Sequence, residues 1–295
     1  MKNFTFTKLN NNSKIYKKKF LGVLVRLMEI NNIKQNNLNL SFKAGLTRSM
    51  VADIKSCNIK RIASKFDQFG VETNFNNNKF VAWCSLKCFE IIQKLNLGIP
   101  RAIFVEDFNK LNIIEQGALG FTNFAPTKLY LNNDSITQEK TIFFNKLNWE
   151  NIDEISDENF KFGITTTDFF LETFLHEFAH VIHENNLLDK KNGSNVIAFL
   201  QKMLNPKFIE TFQIKYANIL KSICNYASEN PLETVACDLS KRILNNIDKS
   251  TLKPRNNFIH SSPYQNFSII KKICMLCDKK QEESLLLNKI WSGNL

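Results

Sequence analysis

The chain has no run of about 18 apolar residues, no Gly/Ser-rich linker, no internal repeat and no cysteine spacing of the kind that makes a disulfide scaffold. The first absence argues against a membrane-spanning helix, and the lack of repeats against a solenoid. The seven cysteines are an odd number in 295 residues. That usage predicts reduced thiols and a cytoplasmic protein, with secretion in the absence of a recognisable signal peptide as the alternative. The nearest thing to a leader is KKKFLGVLVRLMEI at 17–30. Its charged lead is long, Arg26 interrupts its apolar run, and no small-x-small cleavage site follows. It reads instead as an amphipathic helix with Phe20, Val23, Leu24, Leu27 and Met28 on one side. Cys274 and Cys277 form a lone C-x-x-C without a second pair, which fits two half-buried thiols better than a zinc or redox site.

Acidic residues are scarce at one end. Residues 1–65 hold 2 Asp/Glu against 14 Lys/Arg, a charge of +12, while the remaining 230 hold 26 against 25 and carry −1. The basic segment is a candidate surface for nucleic acid or another polyanion. No aromatic nucleic-acid motif accompanies it, so a solvated basic face is the simpler explanation.

A hydrophobic fraction of 43% and an aromatic fraction of 12% describe a folded globular chain. Periodicity predicts helices at 16–30, 47–68, 84–96, 167–185, 194–203, 208–226, 231–247 and 264–279. Short apolar runs at 101–106, 127–132 and 141–146 predict strands of a small mixed sheet, and Asn76–Asn78 a hairpin turn. The fold class is therefore α+β with a mostly helical C-terminal half. A basic, partly helical segment at 1–70 precedes a domain at 71–295.

Histidine is rare too, and its distribution is the main functional clue. Three of the four histidines fall in FLHEFAHVIHENN, residues 174–186. His176, Glu177 and His180 spell H-E-x-x-H, a pattern that chance gives in roughly three of a thousand chains of this composition. Its surroundings are those of a buried helix. TTTD at 165–168 offers a capping residue and a first-turn carboxylate, and TFLHEFAHVI carries no charge but Glu177. Four residues put the two imidazoles one turn apart on one face, where both reach a single ion at about 2.0–2.1 Å. Glu177, at the edge of that face, reaches a water on such an ion without being a ligand. His183 lies on the same stripe. At about 1.5 Å per residue it stands about 10.5 Å from His176 along the axis, too far to complete a tetrahedral site. Asn186 stands where a metzincin would have a third His.

A third ligand must come from elsewhere. Asn230-Pro231 has the form of a helix start, and Glu233 then falls in the first turn of an otherwise apolar helix containing Leu232, Val235, Ala236 and Leu239. A carboxylate in that environment needs a partner, and a cation is a good one.

H-E-x-x-H at 176–180 followed by Tyr226-x6-Glu233, with Asn230 three residues before the Glu, resembles the catalytic domain of anthrax lethal factor and its relatives, including the bacterial Pro-Pro endopeptidases. The likeness spans about residues 165–245. It implies a zincin-like domain and a zinc-dependent endopeptidase of the gluzincin type acting on a protein or peptide. His176, His180 and Glu233 would bind Zn²⁺, Glu177 would be the general base, and Tyr226 would stabilise the oxyanion. An extended substrate would pair with a sheet strand, 127–132 or 141–146. The chain departs from the family four residues after the Glu, where Cys237 replaces an acidic residue and Asp238 is the nearest carboxylate. Two alternatives stay open. One is an intracellular regulator-cleaving zincin whose helix pair near 41–54 binds DNA. The other is a zincin-like binding module without catalysis.

Overall fold

Asparagine and threonine side chains set where many of the helices begin. The computed structural model describes residues 45–95, 97–108, 119–123, 140–147, 150–190, 193–254 and 281–295. All but Phe108 belong to one unit, formed by residues 42–107 and 119–295. The helices expected at 16–30 and 264–279, the strand expected at 127–132, and Cys274 and Cys277 lie outside the described residues.

The helical pattern at 47–68 divides in two. Thr47 caps α1 (Arg48–Ser56), its hydroxyl accepting from the Met50 N–H at 3.2 Å, and Asn58 caps α2 (Ile59–Asp67) by accepting from Arg61 N–H at 3.2 Å. The hairpin expected at Asn76–Asn78 does not form. Asn76 and Asn77 do take positive φ (44° and 59°), but they turn strand β1 (Glu72–Asn74) into helix α3 (Lys79–Lys94), which Asn78 caps through Val81 N–H at 2.9 Å. A left-handed Asn pair serves a strand-to-helix turn as readily as a hairpin. The segment after it is apolar on nearly every side and is buried as a helix.

β1, β2 (Ala102–Glu106), β3 (Gly120–Asn123) and β4 (Thr141–Asn145) make a mixed sheet in the order β1-β2-β4-β3. β1 pairs parallel with β2, and β2 parallel with β4. β3 runs antiparallel to β4, with Phe121 opposite Phe143. The runs expected at 101–106 and 141–146 are thus strands. The third observed neighbour, β3, carried no apolar-run signal because it is only four residues long and begins with Gly. Since β4 is bonded on both sides, it has no edge to offer a substrate strand, which corrects that expectation for 141–146.

α4 (Ile152–Lys161) leads to α5 (Glu172–Lys190), the helix of the histidines. It starts later than TTTD suggests. Thr166 and Thr167 do not cap it with their oxygens. Instead their N–H and hydroxyl groups all donate to the Glu172 carboxylate, which is 2% exposed. Glu172, not Asp168, is therefore the first-turn acid, and its charge faces the positive end of the helix dipole. Phe170, Phe174 and Phe178 are fully buried, and Phe174 packs on Phe144 of β4 and Phe80 of α3 at centroid distances of 4.7 and 5.9 Å. Removing a buried Phe of this kind costs about 3–5 kcal/mol, so α5 is firmly seated against the sheet.

α6 (Gly193–Met203) and α7 (Pro206–Ile223) follow. α7 ends three residues before Tyr226, which sits in a separate 3₁₀ turn, Tyr226–Ser228. α8 (Pro231–Asn245) packs along α5. A two-stranded pair, β5 (Ile247–Asp248) with β6 (Lys253–Pro254), comes next. α9 (Gln281–Trp291), which the periodicity did not predict, closes the chain. No helix among the described residues is long and apolar enough to cross a membrane.

Candidate metal centre

The site is assembled where α8 starts beside the middle of α5. Asn230 caps α8 by accepting from Leu232 N–H at 2.9 Å and Glu233 N–H at 3.1 Å. Pro231 occupies the first turn, as its lack of an N–H allows. This cap fixes Glu233 in the first turn, facing α5.

There the three expected ligands meet. His176 Nε2 is 2.9 Å from Glu233 Oε2, His180 Nε2 is 3.2 Å from the same oxygen, and the two Nε2 atoms are 3.2 Å apart. His176, His180 and Glu233 are the group of potential metal ligands found among the described residues. Ligands about 2.0–2.2 Å from a tetrahedral zinc stand roughly 3.3–3.6 Å from one another. The observed triangle is nearly equilateral and only slightly tighter, and two imidazoles with one carboxylate are a zinc-type donor set. The residues fit the ion.

The electrostatics agree with the geometry. Burial disfavours charge on His176, but the bonded Glu233 carboxylate outweighs it and raises the imidazole pKa from 6.5 to about 9. Burial likewise works against the charge of Glu233, yet His180 and His176 hold its pKa well below the usual carboxylate range. A proton shared within this cluster and a divalent cation compete for the same lone pairs.

Glu177 points to the other side of His176, toward the sheet. It is 6% exposed and its pKa is raised, chiefly by burial. Its Oε2 accepts from Thr122 Oγ1 of β3 at 2.8 Å, and the same hydroxyl lies 3.1 Å from the Glu177 backbone carbonyl. Gly120, also on β3, lets this happen: a Cβ there would come within 2.9 Å of Glu177 Cγ. Thr122 and Gly120 were not identified from sequence, since 55 residues separate Thr122 from its partner.

Tyr226 is held beside His176 by a backbone clasp. Its N–H donates to the Gly163 carbonyl at 3.0 Å, and Asn225 Nδ2 donates to the Phe162 carbonyl at 3.0 Å. Gly163 has φ +69°, and a Cβ there would lie 2.5 Å from Asn225 Nδ2. The Tyr226 ring is 5.7 Å from that of His176 and remains 37% exposed. Its pKa is pushed well up, first by the Glu233 charge and then by burial.

His183 belongs to a different contact. It is fully buried, stacks on Trp291 at 5.2 Å and has Nε2 3.3 Å from the Ile290 carbonyl. Asn186 donates to the Trp291 carbonyl at 2.7 Å. This stripe of α5 anchors α9. Asp238 is paired with Arg242 in a buried i,i+4 ion pair. It is Cys237 whose sulfur lies against His176, 3.8 Å from Nδ1.

No family model, curated protein or solved structure matches the chain.

Proposed function

We propose that the chain is a zinc-dependent endopeptidase of the gluzincin type, similar to the lethal factor catalytic domain and the Pro-Pro endopeptidases. The observation that supports this most is the near-equilateral triangle of His176 Nε2, His180 Nε2 and Glu233 Oε2, with edges of 2.9–3.2 Å, beside a buried carboxylate that is not part of it. His176, His180 and Glu233 would hold the ion. When bound, zinc lowers the pKa of a water from 15.7 toward about 7 and polarises the scissile carbonyl.

The remaining work belongs to the chain. Glu177 accepts the proton of the attacking water and returns it to the leaving amine. Burial raises its pKa and so makes it a stronger base than a free carboxylate. The Tyr226 hydroxyl, kept protonated by its raised pKa, donates to the developing oxyanion. Losing one such donor typically costs about 10²–10³ in rate. An extended substrate backbone would pair with a strand of the sheet other than β4, which is bonded on both sides.

Glu177→Gln tests the reading. The variant is expected to bind about one zinc per chain, as the wild type does, and to lose cleavage of a peptide library. Undiminished cleavage removes Glu177 from the mechanism. A wild type that binds zinc and cleaves nothing in such a library points to the binding-module alternative.

A further inference from the structure

An imidazole that binds a metal through one nitrogen orients itself by donating the N–H of the other to a nearby acceptor. In His176 the nitrogen facing Glu233 and His180 is Nε2, so Nδ1 needs that acceptor. The group in contact with Nδ1 is the Cys237 sulfur, at 3.8 Å. Cys237 is one turn beyond Glu233 on α8, so the ligand and the sulfur share a helix face. The neighbouring carboxylate, Asp238, is engaged by Arg242.

We propose that Cys237 is a positioning residue for His176, its sulfur accepting the Nδ1 proton so that Nε2 presents its lone pair to zinc. This rests on the zinc reading above. The sulfur is itself held in place. Cys237 shares an apolar cluster with Cys224, and Cys224 Sγ accepts the Ala227 N–H at 3.4 Å. The cluster thus places Cys237 between His176 and the turn that carries Tyr226. Thr234 ties that turn to α8 by donating to the Ala227 carbonyl at 2.6 Å. Ile223, Ala227 and Leu287 cluster with both cysteines, which are 1% (Cys237) and 7% (Cys224) exposed. Thiol sulfur is a weak acceptor, and a carboxylate in its place would orient the ring more strongly.

The test measures zinc affinity of the full chain by competition with a chromogenic chelator, with thermal unfolding in parallel. Cys237→Ala is expected to weaken zinc binding about 10–100-fold, the usual effect of losing an outer-shell partner. Cys237→Val, which fills much the same space without an acceptor, is expected to do the same and covers the case in which alanine unfolds the chain. Cys88→Ala, removing a buried thiol on α3, is the control: it should lower the unfolding temperature and leave zinc affinity unchanged. Cys237→Asp is expected to bind zinc within threefold of wild type or more tightly. Ala and Val variants within threefold of wild type overturn the inference, as does an Asp variant as weak as they are, since packing would then be the cause. A wild type that binds no zinc overturns the proposed function as well.

Discussion

Thr122→Val isolates the half of the site that faces the sheet. The substitution keeps the branched shape of the side chain and removes only the hydroxyl that lies 2.8 Å from Glu177 Oε2. A hydrogen bond to a charged acceptor is worth about 1.5–3 kcal/mol. Here one proton serves two acceptors, the carboxylate and the Glu177 carbonyl at 3.1 Å, so the low end applies. At about 1.36 kcal/mol per unit, the loss raises the Glu177 pKa by about one unit. The direction adds to that of burial, which already raises it. In the proposed mechanism the deprotonated carboxylate is the base, so the acid limb of kcat/KM should move about one unit to higher pH. Rates below the limb fall roughly tenfold and the plateau above it is nearly unchanged.

The assay is kcat/KM against pH for a peptide selected from a cleavage library. Thr122→Ser, which retains the hydroxyl, should keep the wild-type limb. An acid limb that does not move in Thr122→Val refutes the reasoning. So does a uniform fall at every pH, because that would mean the hydroxyl shapes the strand without stabilising the carboxylate.

Three further outcomes are expected. With its pKa raised to about 9, His176 is protonated at pH 7 and must lose that proton to bind zinc. Calorimetry in buffers of different ionisation enthalpy should detect about one proton released per zinc at pH 7, with affinity rising roughly tenfold per pH unit until about pH 9; release near zero contradicts the His176–Glu233 pairing. Gly120→Ala would put a Cβ 2.9 Å from Glu177 Cγ, so peptide cleavage should fall while zinc content stays near one per chain; loss of zinc instead would show that β3 supports the ligands and not the base. Glu172→Gln weakens the four bonds that the carboxylate accepts from Thr166 and Thr167, and urea unfolding should show a loss of about 1.5–3 kcal/mol; an unchanged midpoint would mean that α5 starts well without it.

What the sequence reveals about this site follows from how far apart the interacting residues are. His176 and His180 are legible because helical period alone brings residues four apart together, whatever the rest of the chain does. Glu233 is legible for a different local reason: an Asn-Pro start followed by a carboxylate in an apolar helix leaves a charge that needs a partner. Thr122 gives no such sign. It is an unremarkable residue in a four-residue strand, and its role comes only from β3 lying against α5. The Asn76–Asn77 turn shows the same limit in the fold, since positive φ fixes the local backbone but not whether a strand or a helix follows. Cys237 is the instructive middle case. Its spacing from Glu233 puts it on the candidate ligand's face, but its residue type gives little sign of a role, because a thiol is a weak acceptor. Only the tertiary structure shows its sulfur in contact with His176 Nδ1 while the neighbouring Asp238 pairs with Arg242. The candidate ligands are legible locally, the histidines from a spacing of four residues and Glu233 from its helix start, whereas the contacts of Glu177 with Thr122 and of His176 Nδ1 with Cys237 depend on tertiary packing.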